Sequence, residues 1–368
     1  MWLIIFGVSI LAGIAGAIYL SRKVEATGLF ARFNDKPMIP SLLSVITTVA
    51  ILYVISRVFD VTNTIIIVMH VAVFLLLGDL AGFIIRKVSG TPVNPRILDL
   101  AAILLCVIYL IIGWVLMHGM WETDYNISTA KKTGKIRIAH IADSHIGCGF
   151  DGDGFGERLS RIRQTEPDIL VITGDLVDDD TSKADMERSC EALGEFKAKY
   201  GVYYCFGNHD AGYYSAERRG YTRDDLIKNL TRNGVTVLQD ESILIDDRFY
   251  VIGRLDAGYG TADRKTMSEL ISGLDKDKYM IVLDHQPTDY DAEEAAGVDL
   301  VLSGHTHGGQ LFPLEFIQPI VSSNDNVRGL KHRGNTDFIV TDGISDWSIK
   351  FRTGCKSEYN IIDIDEKQ

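Results

Sequence analysis

Two histidines separated by one residue occur in the stretch SGHTHGGQ at residues 303–310, directly after the apolar run VDLVL. A short apolar run of this kind is typical of a buried strand. Because residues two apart in an extended segment point to the same side, His305 and His307 can reach one centre or two adjacent ones. A polar turn after a core strand is the alternative, and the stretch by itself leaves both interpretations open.

Other apolar runs of the chain also end in histidine, aspartate or asparagine. IRIAHIAD, DILVITGD, GVYYCFGNHD and YMIVLDHQP carry Asp143, His145, Asp175, Asn208 and His285 at or just beyond their ends. Ligand sites of open α/β sheets form outside the carboxyl ends of strands. These side chains and the two histidines of SGHTHGGQ are therefore predicted to meet at one edge. A purely structural role for all seven nitrogen and oxygen donors explains this pattern much less well than a role as ligands of a metal centre.

The elements that position these residues alternate between strands and helices from about residue 136 onward. Helical candidates such as KADMERSCEALGEFKAKY separate the apolar runs, which predicts an α/β domain. Residues 238–255 and 337–364 are predicted to add strands with hairpin-like turns. Two sheets are therefore more consistent with the sequence than a single parallel sheet. Residues 122–135 are predicted to be a short exposed tether, and residues 136–368 the α/β domain.

Residues 1–121 differ in composition from the rest of the chain. They contain four apolar runs, at about 2–20, 42–58, 64–85 and 98–121. A membrane-spanning helix needs about 20 mostly apolar residues, so we predict a domain of four spans. A signal peptide is the alternative for the first run, but its length and the absence of a preceding basic flank favour a retained helix.

The loops between the runs predict an orientation. Basic residues cluster in the loops after the first and third runs: Arg22, Lys23, Arg32, Lys36, Arg86, Lys87 and Arg96. The segments 60–63 and 122–129 contain none. Because basic loops stay in the cytoplasm, the C-terminal domain is predicted to be extracytoplasmic.

Polar residues inside the spans are few. His70 and Asp79 both lie in the third run, and hydrogen bonds between helices are the favoured interpretation over a transport path. Five cysteines are present, with no CxxC pair. The disulfide status of the four in the C-terminal domain, Cys148, Cys190, Cys205 and Cys355, is left open.

The C-terminal domain resembles the calcineurin-like binuclear metallophosphoesterases. The motifs of that family occur in order as DSH at 143–145, GDLVD at 174–178, GNHD at 207–210, a lone His285, and GHTH at 304–307. The resemblance covers roughly residues 136–364 and implies a two-sheet sandwich with α/β/β/α layers. The extended form GHTHGGQ is similar to a membrane-attached subgroup. A late segment with Arg352 and Glu358 departs from the family tail, which puts any substrate role of this tail in doubt.

The resemblance also implies the roles of the site residues. Asp143, His145 and His307 would bind one divalent metal ion, and Asn208, His285 and His305 a second, with Asp175 bridging both. His209 would be the catalytic acid, while Asp178 and Asp210 would orient the histidines. The donor set favours Mn, Fe, Zn or Co. His140 is assigned to the core or the surface, and His332 is left unassigned.

Together these observations predict a membrane-anchored, metal-dependent phosphodiesterase or phosphatase that acts on a lipid or a small extracytoplasmic phosphoester. Alternatives are a membrane sensor or scaffold that binds a phosphorylated ligand without turnover, and a transporter with an accessory esterase domain. Residues 1–121 contain eight basic and five acidic residues, a net charge of +3. Because the whole chain has a net charge of −12, the remaining residues carry a net charge of −15. Such an acidic domain argues against nucleic acid as a partner. The lipid bilayer is the predicted partner, and the oligomeric state is left open.

Overall fold

The computed structural model describes residues 2–36, 38–258 and 264–367. The chain divides into two compact units, Met1–Gly113 and Trp114–Gln368.

The first unit is helical. Its helices are α1 (Trp2–Ala26), α2 (Met38–Ser89) and α3 (Pro95–His118), whose last turn belongs to the second unit, with a short 3-10 helix at Ala31–Phe33. Among the described residues, three stretches are long and apolar enough to cross a membrane: Gly7–Ala26, Met38–Ser89 and Pro95–His118. The sequence analysis predicts four spans, and the difference lies within α2, where two of the four runs fall in one helix.

Helix α2 is interrupted at Asp60, whose φ of 66° and ψ of 177° are not helical. The Asp60 carboxylate accepts hydrogen bonds from the Asn63 backbone N–H, at 2.9 Å, and from the Asn63 side chain, at 2.8 Å. This is the pattern of a helix N-cap, so residues 61–89 begin a new helical segment.

Polar groups inside the first unit are paired with one another. The Asp79 carboxylate accepts hydrogen bonds from Tyr19 and Lys23, both at 2.6 Å, and Lys23 also binds Asp99 at 2.7 Å. The His70 ring contacts the carbonyl of Ile66 at 2.8 Å. Asp79 thus links α2 to α1, which agrees with the interpretation as a helix–helix contact.

The second unit contains two six-stranded sheets. The first has the order β1-β12-β2-β3-β4-β5 and the second β10-β11-β9-β8-β7-β6. The strands of the first sheet are β1 (Trp121–Thr129), β2 (Ile136–Ile141), β3 (Ile169–Thr173), β4 (Val202–Cys205), β5 (Thr236–Val237) and β12 (Glu358–Glu366). Those of the second are β6 (Glu241–Ile245), β7 (Phe249–Gly253), β8 (Tyr279–Leu283), β9 (Leu300–Ser303), β10 (Gly329–Arg333) and β11 (Thr336–Val340). Strands β2 to β5 run parallel, as do β7, β8, β9 and β11, whereas β12 is antiparallel to β2.

The helices of this unit cover the outer faces of the two sheets. They are α4 (Gly152–Arg163), α5 (Lys183–Glu195), α6 (Ala216–Arg219), α7 (Arg223–Arg232), α8 (Met267–Leu270), α9 (Tyr290–Ala296) and α10 (Leu314–Val321). Side chains on one face of the first sheet pack on α4, α5 and α7, and the other face packs on the second sheet. The outer face of the second sheet packs on α8 and α9. The layers are therefore α/β/β/α, as the sequence analysis predicts.

The predicted tether at 122–135 is wrong for its first half. Residues Trp121–Thr129 form strand β1, which pairs in parallel with β12 over nine residues. Ile127 is buried, and Tyr125 packs on the core between the sheets. Burial alternates along β1, because only one face of this edge strand meets the core. The many polar residues of ETDYNIST hide this pattern in the sequence. Only Gly119 and Met120 separate β1 from α3.

Candidate metal centre

The predicted ligands lie just beyond the carboxyl ends of five parallel strands. Four of them follow their strands by two residues: Asp143 after β2, Asp175 after β3, His285 after β8 and His305 after β9. Asn208 follows β4 by three residues. Both sheets thus deliver their ligands to one shared edge, as expected for sites at strand ends.

Several of these residues have a left-handed backbone. The φ angle is 53° at Asp143, 54° at Asp175 and 70° at His305, and it is also positive at His145 and His307. Residues other than glycine seldom adopt this conformation, and such positions concentrate at functional sites. Here the conformation turns the backbone sharply at the end of each strand, so that the ligand side chains point into the same space.

Glycines next to the ligands allow the loops to approach one another. A Cβ atom at Gly207 would overlap the Asp175 carboxylate, and one at Gly304 would come within 2.5 Å of Asp143 Oδ2. The backbone N–H of His305 can therefore donate to Asp143 Oδ2 at 2.9 Å. The glycines of the GNHD and GHTH motifs are required by this close packing rather than by turn formation.

Two groups of donor atoms form at this edge. The first group is Asp143, His145 and His307, and the second is Asp175, His285 and His305, with the donor atoms of each group within 4.8 Å of one another. Asn208 joins the second group, since its Oδ1 lies 3.1 Å from His285 Nε2. The structure thus brings together all seven predicted ligands, with Asp143, His145 and His307 in one group and Asn208, His285 and His305 in the other, the sets that the resemblance implies.

Asp175 lies between the two groups. Its Oδ2 is 3.1 Å from His285 Nε2 in the second group and 3.7 Å from His145 Nε2 in the first. Its Oδ1 accepts a hydrogen bond from the backbone N–H of His209 at 2.8 Å. One carboxylate therefore faces both sets of histidines, which is the arrangement of a bridging ligand.

His209 lies beside the first group. Its ring centroid is 5.0 Å from that of His145, 5.0 Å from Tyr213 and 5.4 Å from Trp347. The Trp347 side chain is exposed, as is that of Tyr213. His209 is thus adjacent to the predicted ligands without belonging to either group, and two aromatic residues border it on the solvent side.

Asp178 and Asp210 support the site in different ways. Asp178 Oδ2 lies 3.4 Å from His145 Nδ1, so it faces the histidine as predicted. Asp210 instead accepts hydrogen bonds from backbone N–H groups of Gly207, Asp175 and Leu176 at 2.8 to 2.9 Å. Among the described contacts, its carboxylate therefore holds two loops together rather than orienting a histidine ring.

The sequence analysis misses a pair of residues behind His307. Asp346 Oδ1 lies 3.1 Å from His307 Nδ1, and its Oδ2 accepts a hydrogen bond from Arg352 Nε at 3.0 Å. Both Asp346 and Arg352 are fully buried. Asp346 belongs to the segment GISDWS in a loop, where no strand end or motif spacing marks it. Arg352, to which no role is assigned from sequence, neutralises this carboxylate.

Charges within the site shift the pKa values of its members. Burial opposes ionisation of His145, but the Asp178 and Asp175 carboxylates outweigh it and raise the pKa of His145 to about 9. Burial lowers the pKa of His305 to about 3, and the nearby His285 contributes. Burial also raises the pKa of Asp210 to about 6, with the Asp175 charge adding to it. Buried imidazole and carboxyl groups of the site thus shift one another's pKa values strongly.

These residues fit a pair of divalent cations. Within the described part of the chain, the buried His145 Nε2 has no hydrogen-bond partner, and the pKa of His305 keeps that imidazole neutral at neutral pH. A buried imidazole nitrogen without a hydrogen-bond partner is costly, and a cation that displaces the proton of His145 Nε2 at this position removes that cost. Imidazole nitrogens with carboxylate and amide oxygens match Mn, Fe, Zn or Co.

Comparison with known proteins gives the same class. The family model described as calcineurin-like phosphoesterase matches residues 136–309. An uncharacterized metallophosphoesterase of Aquifex aeolicus is 33% identical over 228 residues, which cover 59% of this chain and 80% of that protein. One of Campylobacter jejuni is 30% identical over 250 residues, covering 67% of this chain and 63% of the relative.

A transmembrane protein with a metallophosphoesterase domain from Danio rerio is 28% identical over 244 residues, covering 62% of this chain and 52% of the relative. The chain covers less than two thirds of the length of the Campylobacter and Danio relatives. Fold, site and relatives together define a metallophosphoesterase. The chain belongs to the calcineurin-like phosphoesterases.

Proposed function

We propose that this protein is a membrane-anchored phosphoesterase that uses two divalent metal ions to hydrolyse phosphodiester or phosphomonoester bonds outside the cytoplasm. The position of Asp175 is the observation that carries the proposal. One carboxylate faces histidines of both donor groups, at 3.1 and 3.7 Å. A shared anion offsets the repulsion between two cations that lie about 4 Å apart.

The residues that would hold the ions are those of the two groups. Asp143, His145 and His307 would hold one, His285, His305 and Asn208 the other, and Asp175 both. When bound, such a pair of ions polarises the phosphoryl group, lowers the pKa of a bound water, and stabilises the attacking and leaving oxygens. The reaction adds one water to phosphorus and breaks one ester P–O bond, and the departing alkoxide takes up a proton.

His209 is the proposed source of that proton. It lies beside the donor groups without joining them, and it faces the exposed Trp347. Burial lowers the pKa of His209 to about 4 in the absence of substrate, although Asp175 opposes the shift. A bound anionic phosphoester would oppose this lowering of the pKa of His209.

Contacts within the first unit support four spans. A helix of 52 residues would extend about 78 Å, far more than a bilayer of about 30 Å. The segment 61–89 runs parallel to α1, because Gly13 approaches Ile65, Gly16 approaches Val68 and Tyr19 binds Asp79. The segment 38–59, by contrast, begins where α1 ends, with Ser41 bound to Glu25 at 2.7 Å. A reversal at Asp60 would therefore divide α2 into two spans, 38–59 and 61–89. Together with α1 and α3 they make four spans of suitable length.

A four-span arrangement, with the basic segments 22–36 and 86–96 in the cytoplasm, would put the metal centre on the opposite side. The resemblance of the GHTHGGQ motif to a membrane-attached subgroup supports this arrangement. Substrates in that position are lipids or small phosphoesters of the extracytoplasmic space.

Purified full-length protein tests the proposed activity. With Mn²⁺ supplied, we expect hydrolysis of bis-p-nitrophenyl phosphate or p-nitrophenyl phosphate, and no hydrolysis by Asp175→Ala. A matched control is Asp180→Ala, since Asp180 is exposed and outside the donor groups. Binding of two metal ions with no turnover of any phosphomonoester, phosphodiester or phospholipid would refute the proposal.

A further inference from the structure

Helix α10 exposes an unusual amount of apolar surface. Among its eight residues and the preceding Phe312, six large apolar side chains are exposed: Phe312, Leu314, Phe316, Ile317, Ile320 and Val321. Ile320 reaches 81% exposure, and no residue of the helix is buried. Because Phe312, Phe316 and Ile320 are four residues apart, they form one stripe along the helix. Soluble surfaces seldom leave such a patch open unless it meets a partner or a membrane.

The polar residues of α10 fix it beside the metal centre. The helix begins five residues after the last residue of the 3-10 helix at His307–Gly309. Glu315 pairs with Arg328 at 3.3 Å, and Arg328 in turn binds the buried Asp342 at 2.9 Å. The Gln318 side chain also donates to the carbonyl of Thr306 at 3.5 Å. The helix is therefore attached to the loop that carries His305 and His307, and its apolar stripe is left outside.

The loop 346–357 connects α10 to the last turn of α3. The backbone N–H of Phe312 donates to Thr353 Oγ1 at 3.1 Å. Four residues farther along the chain, Ser357 donates from its backbone to the Leu116 carbonyl at 2.9 Å and from its hydroxyl to the Met117 carbonyl at 2.6 Å. Leu116 and Met117 end a helix that is apolar enough to cross a membrane. Two residues, 119 and 120, then lead into β1, which limits that connection to about 10 Å.

Aromatic and basic residues accompany the stripe. Trp347 is exposed in the same loop, and Lys356 lies 6.0 Å from the ring of Trp121. Tryptophan and lysine are the residues typical of a membrane interface, where rings and ammonium groups meet lipid headgroups. The stripe itself offers on the order of a few hundred Å², below the roughly 800 Å² per partner of a stable protein interface.

We propose that α10 and Phe312 lie in the interface of the bilayer that α3 enters, so that the metal centre opens onto lipid headgroups. An amphipathic helix in that position inserts its apolar face about 5–10 Å deep. The substrate would then be the phosphoester of a membrane lipid, cleaved by addition of one water. This second part rests on the proposed phosphoesterase activity, whereas the docking of α10 does not.

Lipid-mediated quenching tests the docking in full-length protein. A bimane label at Ile320→Cys is measured in nanodiscs with and without brominated phosphatidylcholine, after subtraction of the signal from the labelled wild-type protein. The matched control is Leu244→Cys, because Leu244 is a leucine on β6 whose relative solvent exposure is 39%. We expect at least twofold quenching at position 320 and none at 244. Equal quenching at the two positions, or protection of position 320 only by a second copy of the chain, would overturn the docking.

Turnover tests the substrate. Wild-type protein with Mn²⁺ is given phospholipids in nanodiscs and, separately, bis-p-nitrophenyl phosphate. Release of a headgroup or phosphate from the lipid supports the inference. Hydrolysis of the soluble ester with no lipid cleavage would overturn the lipid substrate alone. Hydrolysis of neither would overturn the proposed function, while the quenching result still decides the docking.

Discussion

Asp346 lies 3.1 Å from the Nδ1 atom of His307, on the side of the imidazole away from Asp143. Arg352 holds the other oxygen of Asp346 at 3.0 Å. A carboxylate in this position fixes the ring orientation and makes the opposite nitrogen a better ligand. Asp346→Asn should therefore weaken one of the two metal sites by about 10–100-fold and leave the second unchanged.

Metal titration of the purified protein measures this effect. Asp180→Asn is the control, since Asp180 is exposed and bound only to Arg218 among the described ion pairs. Equal weakening of both sites would show that Asp346 stabilises the whole edge rather than His307.

Asp175 should be distinguishable from Asp143 by metal content. Asp175→Ala removes a carboxylate that faces both donor groups, so we expect loss of both ions. Asp143→Ala removes a donor from the first group only, so one ion should remain. Metal analysis of the two variants after dialysis gives the comparison, and retention of two ions by Asp175→Ala would contradict a bridging role.

His209 should matter according to the leaving group. General-acid assistance contributes about 10²–10⁴-fold, and a p-nitrophenolate needs little of it. His209→Ala should therefore keep both metals and much of its activity toward bis-p-nitrophenyl phosphate, while activity toward an alkyl phosphodiester falls much further. Equal losses on the two substrates with the metals retained would point to positioning of the phosphoryl group. Loss of a metal would make His209 a ligand.

Labelling of intact cells tests the orientation and the number of spans together. A membrane-impermeant thiol reagent should reach Ser128→Cys on β1 and Val61→Cys at the reversal, both of which are exposed positions. It should not reach Ser89→Cys at the end of α2. The reverse pattern would place the metal centre in the cytoplasm, and labelling at 128 but not at 61 would contradict four spans.

His140 provides a pH-dependent contribution to stability. Burial lowers the pKa of His140 to about 3, although a hydrogen bond with the Asn360 side chain opposes this shift. The Nε2 atom of His140 contacts Thr173 Oγ1 at 2.8 Å. Since the folded-state pKa lies below the unfolded value of about 6.5, stability is complete above pH 6.5 and is lost as the pH falls toward 3. At pH 5.5 the loss is about 1.4 kcal/mol.

A thermal melt at pH 7.5 and pH 5.5 measures this contribution. His140→Gln should show a smaller drop of the melting temperature between the two values than the wild type. His332→Gln should behave as the wild type, because His332 is exposed. An unchanged drop in His140→Gln would assign the acid sensitivity to other groups.

The seven ligands could be predicted from sequence because each is tied to the end of a strand. Asp143 and His285 belong to different sheets and are far apart in the chain, yet the rule that parallel strands end at one edge places both there. The alternation of strands and helices predicts the α/β class, whereas the α/β/β/α layering is implied by the resemblance to the calcineurin-like metallophosphoesterases. The roles of these residues as ligands remain predictions until metal binding is measured.

Other parts of the fold depend on tertiary contacts that no local pattern signals. Asp346 reaches His307 from a loop, through a contact that only the packing of Arg352 makes possible. Strand β1 alternates in burial, but its outward residues are polar and its partner strand is distant in sequence. The break in α2 depends on the cap that Asp60 forms with the backbone N–H of Asn63, which the apolar flanks conceal.

The parallel pairing of β1 with β12 imposes an order on biosynthesis. Glu122 binds Tyr359, 237 residues farther along the chain. The first segment to follow α3 therefore has no neighbour in its sheet until residues 358–366 have also been synthesised. Domains whose strands pair in chain order can fold while they emerge, but here the pairing of β1 must wait for the last strand. During that interval β1 is an unpaired strand that chaperones and proteases can meet.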